Sequence, residues 1–249
     1  MSNIYALLIG VDCYMPNQLP DGSYYKNLGG CVRDINHVEA FLKDFQKVPE
    51  TQILKLTASP SEEDEKKPIE PPDKLPTRDN TIAAFRKVGE TAPAGSQVYI
   101  HYSGHGGRAK TIFPDIKGAN EPDEGLVPTD IGTSEGQYLR DLELAQLLKE
   151  LAEKKLVVTL VLDCCHSGGA TRGEAEVRGM NVEDNKPLQA SFKAVAEPDV
   201  LAALWQSLTG GGTRGLKAGG LPESNDYVLL AACRQNEFAF EFPFNRETN

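Results

Sequence analysis

The sequence predicts a three-layer α/β domain in which a mainly parallel sheet is covered by helices on both faces. Three observations predict it. Apolar, β-prone runs alternate with helical-period segments, as repeated βα units do. The runs are nearly continuous in apolar residues, the pattern of strands buried on both faces of a parallel sheet. The 249 residues are enough for one large α/β domain with a substantial core, and neither a composition break nor an internal repeat divides them.

Tyr5 to Val11 reads as the first buried strand, and Cys31 to Phe45 as an amphipathic helix with Val32, Ile35, Val38, Phe41 and Leu42 on one face. Gln52 to Leu56 is the second strand. Ser59 to Pro76 is rich in Pro, Glu, Asp and Lys, buries too little apolar surface to order itself, and is expected as a surface loop. Thr77 then caps a helix that turns Ile82, Phe85 and Val88 toward the sheet. The third strand is Gln97 to Tyr102. Beyond it, Gly106 to Gln137 is a polar excursion with room for a small hairpin. A strongly periodic helix, about Leu139 to Glu153, presents Leu142, Leu144, Leu147, Leu148 and Leu151. Leu156 to Leu162 is the fourth strand. Gly168 to Asn225 is Gly- and charge-rich, interrupted by a short helix at Asp199 to Leu208, and Tyr227 to Ala232 is the fifth strand.

The formal net charge is −10, from 26 basic and 36 acidic side chains, and no stretch clusters Lys and Arg into a phosphate-binding surface. Nucleic acid is therefore not expected as a partner. The apolar stretch Ile4 to Val11 is too short to span a membrane, and Met1-Ser2-Asn3 lacks the basic start of a secretory signal. No membrane association and a cytoplasmic location are expected. Cys13, Cys31, Cys164, Cys165 and Cys233 are odd in number, widely spaced and without zinc-like pairing, so free thiols are expected.

Chemistry concentrates at two strand ends. His101-Tyr102-Ser103-Gly104-His105-Gly106 closes the third strand, and Asp163-Cys164-Cys165-His166-Ser167-Gly168 closes the fourth. In neighbouring parallel strands these ends lie side by side, which places a histidine next to a cysteine. That is the minimum machinery of a cysteine hydrolase. A free thiol has a pKa of ~8.5, and a nearby imidazole raises its thiolate fraction or takes its proton during attack. His105, between two glycines after a buried strand, is expected at the exposed sheet edge as general base and acid. His101, within the strand, reads as a packed side chain, and His166 as a support for its loop. Cys164 and Cys165 both remain candidates on the residues alone.

The order of Leu7-Leu8-Ile9-Gly10-Val11, Gly30-Cys31-Val32-Arg33-Asp34 and the two strand-end motifs resembles that of metacaspases, and in particular the bacterial orthocaspases, among the caspase-like cysteine peptidases. Tyr227 to Arg234 with Glu237 and Glu241 also resembles the start of that family's smaller subunit. The resemblance implies a caspase-hemoglobinase fold in one domain, 1–249, and endopeptidase activity after arginine or lysine. It divides the chain into a larger-subunit-like part at about 1–170, a flexible linker at 171–224 and the start of a smaller-subunit-like part at 225–249. It selects Cys165, directly before His-Ser-Gly, as the nucleophile, with Asp163 two places upstream. The family pattern usually continues through another strand and helix, whereas this chain stops at Asn249, so the smaller subunit is either truncated or completed differently.

Glycine at 104 and 106 lets backbone approach a substrate closely, and the amides of Gly106 and Cys165 are the candidate oxyanion hole. A carboxylate beside the nucleophile raises the thiol pKa and opposes catalysis unless a cation occupies it. Asp163, with Asp34 and the backbone or thiol of Cys31, is therefore expected to form a pocket for arginine or lysine, lined by Ser103. The competing assignment for Asp34 is a first-turn carboxylate favouring the helix dipole. Arg33 is the only basic residue inside these motifs and points elsewhere as a helix neighbour of Asp34, so cleavage after aspartate is disfavoured.

The segment after the nucleophile contains Arg172, Arg178, Lys186, Lys193, Arg214 and Lys217. Exposed loops are preferred proteolytic sites. Self-cleavage is expected there, first at Arg214 or Lys217 in the Gly-rich stretch Gly210 to Gly220, with Arg172 and Arg178 as further candidates. Asp123 and Glu124, before Val127-Pro128-Thr129-Asp130, resemble the acidic pair of calcium-activated relatives and are the candidate calcium ligands. Arg172 stands where calcium-dependent relatives carry an aspartate, so no metal or other cofactor is expected. The expected partners are protein or peptide substrates with arginine or lysine before the cleaved bond, and the chain is expected to be a monomer. The competing reading is a catalytically silent caspase-like scaffold that binds partner proteins through the same cleft.

Overall fold

The computed structural model describes residues 3–16, 18–19, 22–164, 176–184, 188, 191–210, 221, 226–233 and 240–241. In chain order the elements are β1 (Ile4–Val11), α1 (Cys31–Asp44), β2 (Ile53–Ala58), α2 (Arg78–Thr91), β3 (Gln97–Ser103), β4 (Gly106–Ala109), α3 (Pro114–Lys117), β5 (Asp123–Leu126) and β6 (Leu139–Arg140). They continue as α4 (Asp141–Glu153), β7 (Val157–Asp163), β8 (Glu176–Val177), β9 (Gly179–Asp184), α5 (Pro198–Thr209), β10 (Tyr227–Ala231) and β11 (Phe240–Glu241). The central sheet has the order β10-β7-β3-β1-β2 and every neighbouring pair runs parallel. This is the α/β class with a mainly parallel sheet that the strand–helix alternation predicts.

Packing explains why β1 is apolar throughout. Leu7, Ile9 and Val11 face a large core with Phe85 and Val88 of α2, Leu144 and Leu148 of α4, and Trp205 of α5. Ala6 and Leu8 face a smaller core under α1, with Ile35 and Leu42. Each buried Leu or Phe adds about 1.5–3 kcal/mol relative to an exposed one, so both faces of β1 hold the layers together.

Helix starts are set by particular oxygens. The Thr77 hydroxyl accepts a bond from the Asn80 amide (3.1 Å) and so caps α2 as the sequence predicts. No side chain of the preceding residue caps α1. Its first amides, of Cys31 and Val32, instead donate to the Asp12 carboxylate at the end of β1 (2.8 and 3.2 Å). That bond fixes the first turn of α1 to the carboxyl end of the sheet.

One expected core residue is displaced. Phe41 is 49 % exposed and stacks on Phe45 at 5.6 Å between ring centroids, while Cys31, Ile35 and Leu42 are the buried residues of α1. At 3.6 residues per turn, position 41 lies about 120° around the helix from Ile35, beyond the strip that meets the sheet.

The excursion after β3 is more ordered than its composition suggests. β4 and β5 form the hairpin for which there was room, and β6 and β9 extend it to a four-stranded sheet, β6-β5-β4-β9. The stretch 171–224, expected as a flexible linker, likewise contains regular elements: β9 pairs with β4, and α5 buries Leu201, Leu204 and Trp205. Among the described residues no helix is long and apolar enough to cross a membrane. Cys13, Cys31, Cys164 and Cys233 are free thiols.

Candidate active site

Parallel pairing of β3 with β7 sets Ser103 opposite Asp163, and the Gly104 amide donates to the Asp163 carbonyl (3.3 Å). The two sequence motifs therefore end at adjacent strand tips, where buried parallel sheets commonly place ligands. Cys165 and His166 lie outside the described residues, as do the self-cleavage candidates Arg172, Arg214 and Lys217. Cys164 is buried in the main core, and burial pushes its thiol well above the ordinary cysteine range. The Cys233 thiol donates to its carbonyl (3.5 Å). A thiol so placed packs like a small apolar side chain.

His105 is not at an exposed edge as expected. It is 3 % exposed, because the chain between β1 and α1 folds over it. The Tyr14 and Tyr25 rings lie 4.7 and 5.3 Å from the imidazole centroid. Its amide donates to the Tyr14 hydroxyl (2.6 Å), and its carbonyl accepts from the Tyr102 hydroxyl (2.7 Å) and the Val127 amide (3.1 Å). Nε2 stands 2.9 Å from the Lys26 carbonyl oxygen, and a carbonyl can only accept. In the neutral ring the proton is thereby assigned to Nε2, leaving Nδ1 as the basic nitrogen. Nδ1 is buried and has no hydrogen-bond partner among the described residues. Burial pulls the imidazole down from 6.5 to about 4, so the ring is neutral and able to accept a proton near neutrality.

Glycine at 104 is needed for this cage. A Cβ there would lie 2.7 Å from the Tyr102 hydroxyl and 2.9 Å from that of Tyr14. The close approach at this position is therefore made by tyrosine hydroxyls, where the sequence suggested substrate. His101 is half-buried with Nδ1 3.1 Å from the Tyr99 hydroxyl, in keeping with a packed side chain.

Asp34, Ser103 and Asp163 come together around one guanidinium, that of Arg178. Nη1 donates to Ser103 Oγ (2.9 Å) and to Asp163 Oδ2, and Nη2 donates to Asp34 Oδ2 (3.0 Å). Arg178 is 5 % exposed. Burial works against its charge, but Cys31, Asp163 and Asp34 outweigh that and hold it more basic than an ordinary arginine. The Cys31 amide is engaged by Asp12, so its contribution to this pocket is electrostatic. The Arg178 carbonyl oxygen also accepts from the Gly106 amide (3.2 Å), and the Arg178 backbone acts on the His105 imidazole, favouring its charged form.

Asp123 and Glu124 lie in β5 and are engaged by cations of the chain. Asp123 Oδ1 is 2.9 Å from Lys117 Nζ and Oδ2 is 2.8 Å from Arg140 Nη1, while Lys117 also reaches Asp141 (2.6 Å). Glu124 accepts from Arg108 (3.2 Å).

The sequence reading missed Asp12, Tyr14, Tyr25 and Lys26. Two signals were available: an aspartate directly after an apolar strand, and tyrosines interrupting a loop rich in Gly, Pro and Asn. Lys26 acts through its carbonyl, which no residue pattern reveals.

A family model described as metacaspase, peptidase C14 domain, matches residues 5–172. The chain is 29 % identical over 168 residues to metacaspase-1B of Aspergillus terreus, covering 66 % of this chain and 38 % of that protein. It is 26 % identical over 218 residues to metacaspase-1 of Cryptococcus neoformans, covering 86 % of this chain and 42 % of that protein. The chain thus spans about two fifths of the length of these relatives. A crystal structure of a protein from Geobacter sulfurreducens superposes with a TM-score of 0.55 at 19 % identity, covering 94 % of this chain and 74 % of that one, which is a likeness of fold.

Proposed function

The chain belongs to the metacaspase family through its peptidase C14 domain, and from that premise we propose that it is a cysteine endopeptidase cutting protein and peptide chains after arginine or lysine. Cys165 is the nucleophile and His105 the general base and acid. The single observation that carries the specificity is the seat of the Arg178 guanidinium between Asp34, Asp163 and Ser103. A pocket that holds a planar cation through two carboxylates and a hydroxyl discriminates against an acidic residue by like-charge repulsion.

The chemistry follows from the cage. With Nε2 committed to Lys26, Nδ1 takes the thiol proton as sulfur attacks the carbonyl carbon, and the imidazolium then returns it to the departing amine. The Gly106 amide, joined in this reading by that of Cys165, stabilises the oxyanion; loss of one such donor typically costs ~10²–10³ in turnover. The reading extends to a calcium-independent monomer in the cytoplasm that processes itself within 171–224.

Two fluorogenic peptides, one ending in arginine and one in aspartate, test it. The wild type turns over the first and not the second, and Cys165→Ala turns over neither. An arginyl thiol-directed inhibitor that fails to label Cys165 would instead favour the silent scaffold.

A further inference from the structure

We infer that Asp184, acting through the hydroxyls of Tyr138 and Tyr25, holds the tyrosine ring that shuts His105 off from water, and is a positioning residue for the general base. The role of His105 as that base rests on the peptidase reading above. Three observations carry the inference. The first is a chain of buried hydroxyls. Tyr138 donates to Asp184 Oδ2 (3.1 Å), which uses the one proton its hydroxyl has. Tyr25, whose hydroxyl lies 3.1 Å from that of Tyr138, is therefore the donor in that pair. The second is the room made for them in β4. A Cβ at Gly107 would collide with the Tyr25 hydroxyl and lie 2.7 Å from Tyr138 Cε1, so glycine stands where the two tyrosines meet.

The third is what lies beyond the ring. Tyr25 is 5.3 Å from the imidazole centroid, and with Tyr14 it also lines a cavity of about 480 Å³ bounded by Tyr24, Lys26 and Glu65. The ring stands between that cavity and His105. A buried hydroxyl without a partner is costly, so a Tyr25 that lost its acceptor would turn its hydroxyl to the nearest water. That water is in the cavity, and the turn takes the ring off the imidazole. Phenylalanine would fill the same core; the hydroxyls and the carboxylate add direction, not volume.

Asp184 is a firm inner anchor. It ends β9, registered on Ala109 of β4, and its carbonyl accepts from the Lys110 amide (2.9 Å). An ionised carboxylate can only accept, so the chain of donors keeps its direction from Tyr25 inward. Dryness is what this protects. Burial is the largest influence on the His105 imidazole and disfavours its charged form; the Lys26 and Arg178 backbone favours that form, and the Arg178 guanidinium opposes it. With the Tyr25 ring turned away, water reaches the imidazole, its pKa rises toward the ordinary value, and its aim at the thiol is no longer fixed.

The test labels histidine isotopically in the full chain and follows the imidazole signals by NMR from about pH 5 to about pH 8. The His105 signal is the one missing from His105→Asn. In the wild type it is expected to stay flat over this range. In Asp184→Ala, and in Tyr138→Phe should the first not fold, it titrates with a midpoint above about 5.5. In the same variants kcat on an arginyl peptide falls by at least about tenfold while KM changes by less than about twofold, a split that lost stability alone does not give. Asp184→Asn, which keeps an acceptor oxygen for Tyr138, leaves the signal flat and kcat within about threefold of the wild type. A flat His105 signal in both Asp184→Ala and Tyr138→Phe overturns this inference, whatever their turnover. A signal that moves as expected in a chain whose wild type turns over no arginyl peptide upholds the closure of the cage and overturns the peptidase reading.

Discussion

His105 Nε2 and the Lys26 carbonyl oxygen lie 2.9 Å apart, and this contact settles which ring nitrogen is left to act as a base. Because the acceptor is a backbone carbonyl, it stays neutral and cannot raise the imidazole pKa as a carboxylate partner would. Burial between Tyr14 and Tyr25 is then unopposed by a counter-charge and pulls the ring down to about 4.

Two pH effects follow, and their signs agree. The base stays neutral until the pH nears 4, and burial, the largest cause, remains in Arg178→Gln, so the acid limb of Cys165 labelling by an arginyl inhibitor in that variant is expected below the ordinary imidazole value of 6.5. Stability moves with it. The unfolded imidazole binds its proton at 6.5 and the folded one at about 4, so in that window the unfolded state holds more protons and stability falls as the pH falls. The gap between the two values corresponds to about 3 kcal/mol. Urea unfolding at about pH 7 and about pH 4.5 should therefore show a larger acid loss in the wild type than in His105→Asn, by about 2–3 kcal/mol. Equal losses would contradict the buried neutral ring.

The pocket carboxylates are not equivalent. Asp163 shares Nη1 of Arg178 with Ser103, whereas Asp34 makes a single bond of 3.0 Å to Nη2. Removing one partner of a desolvated pair commonly costs ~2–5 kcal/mol, so Asp163→Asn is expected to lower kcat/KM on an arginyl peptide by at least about thirtyfold. Asp34→Asn, which gives up only the single 3.0 Å bond to Nη2, is expected to lower it by about tenfold or less. Near-normal turnover by Asp163→Asn would refute the pocket.

Asp12 joins the fold to that pocket. It holds the Cys31 and Val32 amides from the end of β1, and the same first turn of α1 carries Asp34. Asp12→Ala is expected to cost about 1–2 kcal/mol in stability, as loss of a helix cap does, and to raise KM for arginyl peptides more than it lowers kcat. An unchanged KM would mean that Asp34 is placed by other contacts.

The parts of this arrangement that the sequence revealed are those with a local physical signature. β1, β3 and β7 are apolar runs, Thr77 is a cap followed by a periodic helix, and the pocket residues Asp34, Ser103 and Asp163 sit inside short motifs at strand ends. What it did not reveal depends on distant chain segments. The burial of His105 comes from Tyr14 and Tyr25, which lie 91 and 80 residues upstream, and the occupant of the pocket comes from a basic residue that composition places in an exposed linker. Phe41 shows the limit of periodicity from the other direction: the helical stripe is present, but only tertiary packing decides how wide a strip the sheet covers.

The acidic pair in β5 gives the last expectation. A calcium ion needs several oxygens, and both oxygens of Asp123 already accept from cations, Lys117 on one side and Arg140 on the other. Lys117 is itself 1 % exposed at its side chain and is shared with Asp141, whose carboxyl burial pushes upward despite the ammonium beside it. For calcium to bind Asp123, Lys117 and Arg140 would have to give way, leaving buried charges without partners at several kcal/mol each. Turnover of an arginyl peptide is therefore expected to be unchanged by a chelator, and Tm unchanged by added calcium. Lys117→Met, which leaves Asp141 without its ammonium partner and Asp123 with Arg140 alone, is expected to destabilise the chain by about 3–5 kcal/mol in urea. A rise in Tm with calcium, lost in Asp123→Asn, would show that the ion displaces these cations after all.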